Sequence, residues 1–232
     1  EQGYETLADA FAAAEAGETV KLAQDVTLSE RIFVEGEVTL DLAGKTIAWD
    51  AEKSNASGVL IVRRGADLTV DDSVGGGAID ARGVAYAAVA VTHGTDPVKD
   101  TSVAAKLTVN GGTLVGLYYA VTGNGNRPNT VVTVNGGTLV GEDSTGAGIF
   151  NPQVGELTVA GGRVEGAVAV WAKSGAVRVT GGELVGTGVA AAYVTKGDGF
   201  DPTGDALVID NVGNALDVEI TGGTFVSSNA NA

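Results

Sequence analysis

Apolar and polar residues alternate along most of this chain in short runs separated by glycine. Leu107 and Val109 flank Thr108, a period of two that predicts a strand with its apolar pair on one face. Asn110-Gly111-Gly112 then predicts a corner, because glycine takes backbone angles that other residues avoid. Thr113-Leu114-Val115 predicts a second short strand with Leu114 inward, and Gly116 breaks it. Tyr118 to Thr122 predicts a third strand, closed by Gly123-Asn124-Gly125.

This unit recurs. Leu107–Gly116 is followed by Val132–Gly141, Leu157–Gly166, Val177–Gly186 and Val218–Ser227, at steps of 25, 25, 20 and 41 residues. The last step is close to two of the shorter ones. A regular period of this size predicts stacked repeats, each burying its apolar face on its neighbours. The first strand puts Leu68, Leu107, Val132, Leu157, Val177 and Val218 in one inner column. Val70, Val109, Val134, Val159, Val179 and Ile220 form a second. The second strand contributes Leu114, Leu139, Val164, Leu184 and Phe225; the third is expected to contribute Val91, Val121, Phe150, Trp171 and Val194. Thr108, Thr133, Thr158, Arg178 and Glu219, between the columns, vary in character as outward positions do.

Asn-Gly is also a strong hairpin signal, so a meander of antiparallel strands is the competing reading. The flanking runs are short for hairpin strands, which usually have about five or six residues. Like residues also recur one full repeat apart. Parallel coils stacked about 4.8 Å apart explain that recurrence, and a meander does not.

Upstream, residues 5 to 16 predict the one convincing helix: Ala is the best helix former, and Leu7, Phe11 and Ala14 share a face. Thr6 is the expected N-cap, with Asp9 three residues on, and Gly17 the stop. This helix is placed to cover the first coil, whose apolar end and backbone edge are otherwise exposed. Residues 19–34 and 38–49 predict the first two coils. In the third, Val74-Gly-Gly-Gly-Ala-Ile79 is expected to replace the usual corner and second strand. The reading is thus all-β: a right-handed parallel β-helix of three sheets and about eight coils over 18–227, capped by 1–17 and trailed by a disordered tail, 228–232.

Composition narrows the functional classes. The net charge of −15 argues against nucleic acid and anionic membrane surfaces as partners, since both need basic patches. With no cysteine there are no disulfides, thiolate chemistry or zinc-finger-type sites. No apolar run reaches the roughly 20 residues that span a bilayer. The chain has no Met and starts at Glu1, so it is expected to be a mature or excised, monomeric module of a larger secreted or cell-surface protein.

The opening run Leu7–Leu22, the segment Val38–Ile47 and the Val-x-Gly-Gly repeats together resemble the right-handed parallel β-helix domains of bacterial surface proteins, pectin-lyase-like in fold. The resemblance covers nearly the whole chain and rests on corner and core residues. It therefore implies a fold more than an activity. The family includes polysaccharide lyases, glycoside hydrolases and non-catalytic adhesin or stalk modules.

A hydrolase of this fold would need paired carboxylates, one acid and one base, and Asp71-Asp72 with Asp80 nearby is the best set. Arg63-Arg64 lies just upstream and His93 is the one histidine, but the Arg-x-Lys of such hydrolases is missing. A lyase would need outward carboxylates around Ca²⁺, and the outward ladder Thr69, Thr108, Thr133, Thr158 is neutral. Asp198, Asp201 and Asp205 lie among glycines in a loop that is a candidate for Ca²⁺; solvated loop charges are the plainer reading. Tyr86, Tyr118 and Tyr193 are candidates for a platform on which a sugar ring stacks, against the alternative that they fill the core. The expected role is a non-catalytic extracellular spacer or adhesin with no required cofactor, contacting a glycan or a host or neighbouring cell surface. A polysaccharide lyase or hydrolase and a carbohydrate-binding module are the alternatives.

Overall fold

The computed structural model describes residues 2–50, 58–82, 85–92, 98, 100–123, 128–195, 199–212 and 215–229. The strands form three parallel sheets, and the chain visits each in turn. Sheet one has eight strands: Glu18–Lys21, Glu37–Asp41, Asp67–Asp71, Ala105–Val109, Thr130–Val134, Gly155–Val159, Gly175–Val179 and Leu216–Ile220. Sheet two also has eight: Val26–Leu28, Thr46–Trp49, Ala78–Ala81, Thr113–Gly116, Thr138–Gly141, Arg163–Gly166, Glu183–Gly186 and Thr224–Ser227. Sheet three has seven: Ile32–Val34, Leu60–Val62, Ala87–Val91, Tyr119–Gly123, Ala147–Asn151, Val168–Ala172 and Leu207–Ile209. The described residues wind into a parallel β-helix of seven three-strand coils and the first two strands of an eighth.

Like residues stack over like residues. Val38, Leu68, Leu107, Val132, Leu157, Val177 and Val218 are register partners along sheet one. Val26, Ile47, Ile79, Leu114, Leu139, Val164, Leu184 and Phe225 are partners along sheet two. The outward ladder Thr39, Thr69, Thr108, Thr133 and Thr158 continues into Arg178 and Glu219. The third coil keeps its second strand, Ala78–Ala81, in register with both neighbours. The glycine run before it makes a wider corner and replaces nothing.

The Gly-Gly pair at each corner answers two constraints. The second glycine turns the chain at positive φ, as at Gly137 (80°) and Gly162 (75°). The first is small because the coil beneath is close: a Cβ on Gly136 or Gly161 would lie 2.4 or 2.3 Å from the carbonyl oxygen of Asn110 or Asn135. Asparagine side chains stack on the same corner. Asn135 Nδ2 donates to Asn110 Oδ1 at 2.9 Å, and Asn110 Nδ2 donates to Asp71 Oδ1 at 2.8 Å.

Sheet three departs from the expected column. Val91 and Val121 face the core, but Phe150 and Trp171 do not. Their register partners are Thr122 and Val208, and this column points away from the main core. On these strands two consecutive residues face inward, as Ala120 and Val121 or Ala169 and Val170 do, so simple alternation slips by one. Val194 belongs to no strand and is 56% exposed. The slot expected for it is filled by Leu207–Ile209, paired to Val168–Ala172. The 41-residue step is therefore one coil carrying an excursion. Gly188 N and Gly204 N both donate to Ala167 O, at 3.2 and 3.0 Å, where the excursion leaves and returns.

Helix Leu7–Ala13 is shorter than predicted, since the chain is already extended at Ala14. Thr6 Oγ1 accepts from Asp9 N at 3.1 Å, the expected N-cap. Leu7 and Phe11 are buried in the main core. At the other terminus, Ser228 and Asn229 are held against the coils, Ser228 N donating to Gly186 O at 3.0 Å; of the expected tail, 230–232 lie outside the described residues. Among the described residues no helix is long and apolar enough to cross a membrane.

Candidate functional site

The candidate acids sit at structural corners. Asp72 Oδ1 accepts from Gly44 N (2.7 Å) and Gly75 N (3.1 Å), and its Oδ2 accepts from Gly77 N (2.7 Å). It staples the wide third-coil corner to the coil before. Asp71, next to it, takes the Asn110 amide described above. Asp80 points outward from sheet two and is paired with Arg82, whose Nε is 2.8 Å away. Arg63 stands at the end of a sheet-three strand, ion-paired with Glu35, its guanidinium 3.8 Å above the Phe33 ring. Asp71-Asp72, Asp80 and Arg63 thus occupy three different faces or corners of the solenoid. His93 lies outside the described residues.

Sequence reasoning passed over a third corner acid. Asp41 is buried and stacks under Asp71. Burial pushes its carboxyl pKa up, but the Ser73 N–H and hydroxyl, the Ala43 N–H and Lys21 outweigh burial and hold it at about 2.

The Ca²⁺ candidates separate. Asp205 is buried, accepts the Thr203 hydroxyl through Oδ2 at 2.5 Å, and its backbone carbonyl takes Ala169 N at 3.2 Å. Asp201 is half-buried, and Asp198 lies outside the described residues. Among the described residues, no three His, Cys, Asp or Glu come together in a way that could hold a metal ion.

Of the candidate tyrosines, Tyr86 and Tyr118 meet on the outward side of sheet three, while Tyr193 stands at the far end of the same aromatic seam. The Tyr86 and Tyr118 rings are 4.7 Å apart, and Tyr86 is 5.6 Å from Tyr119. The seam continues from Tyr119 to Phe150 at 5.3 Å. Phe200, from the excursion, covers its middle, 5.8, 5.4 and 5.5 Å from Tyr119, Phe150 and Trp171. Tyr193 ends it, 6.1 Å from Trp171. Tyr86 is 40% and Tyr193 46% exposed, while Trp171 is fully buried. Each pair falls in the range where aromatic rings attract one another.

No protein-family model, no curated protein and no solved structure matches this chain.

At the Tyr193 end the seam meets a buried ion pair. Lys173 Nζ lies 3.6 Å from Asp210 Oδ2, with side chains 4% and 0% exposed. Trp171 Nε1 donates to Asp210 Oδ2 at 3.3 Å, and the Tyr193 hydroxyl donates to Oδ1 at 2.7 Å. The Thr195 contact lowers the Tyr193 pKa, but the bond to Asp210, burial and the carboxylate charge give a net rise. Lys173 and Asp210 each directly follow a sheet-three strand on adjacent coils, and Asp210 N donates to Ala172 O at 2.8 Å. Their sequence signal is equivalent position after aligned strands. The excursion hid it by breaking the repeat count.

Proposed function

We propose that this chain is a non-catalytic, extracellular spacer or adhesin module whose tyrosine seam contacts a glycan. The observation that carries the reading is the pairing of Tyr86 with Tyr118 at 4.7 Å on an outward face that Tyr119 and Phe150 support from beneath. Stacked sugar rings need such rigid, partly exposed aromatic faces. A rigid solenoid would present that face at a fixed distance from whatever it is attached to. The acids favour the same reading. Asp41 and Asp72 accept backbone N–H groups at the corners and Asp71 accepts the Asn110 amide, whereas a general acid or base must reach the reacting oxygen.

A glycan array with the whole chain tests this. Binding is expected to weaken at least tenfold in Tyr86→Ala and Tyr118→Ala while the fold stays intact. Array silence, or binding indifferent to both substitutions, counts against the seam. The enzymatic alternative is tested by release of reducing ends or unsaturated sugars from pectic and host glycans. Turnover abolished by Asp80→Asn, an outward acid outside the corner hydrogen bonds, would replace the proposal with a polysaccharide hydrolase if reducing ends alone appear, or a lyase if the products are unsaturated.

A further inference from the structure

Lys173 and Asp210 each follow a sheet-three strand, and those strands are paired, so the backbone fixes how far apart the two residues stand. Lys173 Nζ lies 3.6 Å from Asp210 Oδ2, long for a charge-assisted hydrogen bond, which is usually about 2.7–2.9 Å. Asp210 Cγ is therefore at most one C–O bond farther from the amine. Solvent is nearly absent here. The two side chains are 4 and 0% exposed, Trp171 is fully buried, and Nζ lies 5.9 Å from the centre of the Phe150 ring. Charges held out of water each carry a desolvation cost that only good pairing offsets.

The two oxygens of the carboxyl have separate donors. The Tyr193 hydroxyl donates to Oδ1 at 2.7 Å, and Trp171 Nε1 donates to Oδ2 at 3.3 Å. An amine adding to Cγ drives negative charge onto one carboxyl oxygen while the other departs. Oδ1 already has its donor in place, and donors fixed where charge develops lower such barriers. Holding amine and carboxyl side by side also makes the reaction intramolecular, which removes much of its entropic cost.

We infer that Lys173 and Asp210 condense within the folded chain to an amide that cross-links the sixth and seventh coils. One ammonium proton passes to Oδ2. The freed lone pair forms the Nζ–Cγ bond, and charge gathers on Oδ1 against the Tyr193 hydroxyl. A second amine proton passes to Oδ2, the Cγ–Oδ2 bond breaks and water leaves. The third proton stays on the amide nitrogen. Nothing is oxidised or reduced, and no co-reactant enters. The product buries an amide in place of two charges. The link closes the base of the excursion, which begins after Lys173 and returns before Asp210, so the chain cannot unwind past this point. It does not depend on what the tyrosine seam binds.

Mass spectrometry of the whole chain, folded and then denatured, tests this. The expected mass is one water below that of the sequence. Trypsin is expected to leave Lys173 uncut and to release fragment 164–178 joined to 197–232, which carries Asp210. Lys173→Met combined with Asp210→Leu, which removes both reacting groups together, is expected to show its full sequence mass. In Tyr193→Phe the linked form is expected to appear at least about tenfold more slowly after refolding. A parent chain of full mass, or a loss of water confined to other fragments, overturns the proposal and leaves an ordinary buried ion pair. An unchanged rate in Tyr193→Phe overturns the role given to its hydroxyl.

Discussion

The Tyr193 hydroxyl donates to Asp210 Oδ1 at 2.7 Å and so ties the excursion to the chain just after the last strand of sheet three. A hydrogen bond to a charged acceptor contributes about 1.5–3 kcal/mol. Tyr193→Phe keeps the ring against Trp171 and removes this bond together with the hydroxyl's contact to Thr195 Oγ1 at 2.9 Å. Faster amide exchange is expected across 189–195, with none in Asp67–Asp71, and a stability loss of about 1–3 kcal/mol by denaturant unfolding.

Asp210 also neutralises Lys173 in a nearly solvent-free site. Breaking one side of a buried pair strands the other charge, at about 3–5 kcal/mol. Asp210→Ala is expected to lose that much. Lys173→Met combined with Asp210→Leu is expected to lose clearly less, because both charges leave together. Urea titrations of the single and double variants check the ordering.

Asp72 is expected to matter for folding. Asp72→Ala would leave the Gly44, Gly75 and Gly77 amides without their acceptor, at a cost of about 2–4 kcal/mol from several charge-assisted bonds. Thermal unfolding measures it. A variant as stable as the parent would show that the corner does not depend on this carboxylate.

Acid should weaken the same region. Asp41 has a folded pKa of about 2, below the ordinary carboxylate value of about 3.9. A depressed pKa adds stability above the unfolded value, and that stability is lost as pH falls from about 4 toward 2. Asp41→Asn is expected to be less stable than the parent at neutral pH, with the gap narrowing across that window. Unfolding free energies at several pH values would show whether it narrows.

Gly161 separates local strain from coil spacing. It is not among the positive-φ residues, so alanine fits its backbone and would ordinarily stabilise by about 0.4–1 kcal/mol through the unfolded chain. Its Cβ, however, would press on Asn135 O at 2.3 Å. Gly161→Ala is therefore expected to destabilise by about 1–3 kcal/mol, as overpacking does. A stabilised variant would mean that the coils can separate at this corner.

The local rules written into this sequence determined the coil. Alternation placed Leu107, Val109 and Leu114 inward, paired glycines marked the corners, and recurrence of the whole unit required parallel stacking, because the forces involved act within a repeat or between identical repeats. Thr6 and Asp9 likewise specified a helix start within a few residues. The outward tyrosines of sheet three were legible, but the Phe150 and Trp171 column was not, because these residues look as buried as any core residue and only the two-residue inward step of those strands turns them out. Nor could sequence place Phe200 over the seam or set Asp210 against Lys173, since both contacts cross an excursion of irregular length. Tertiary structure also decided the fate of the acids. Asp71, Asp72 and Asp80 are close in sequence, but parallel winding gives Asp71 and Asp72 to a corner and Asp80 to an outward sheet face. Periodicity is a property of neighbours along the chain, whereas a site is made by whatever the winding brings alongside.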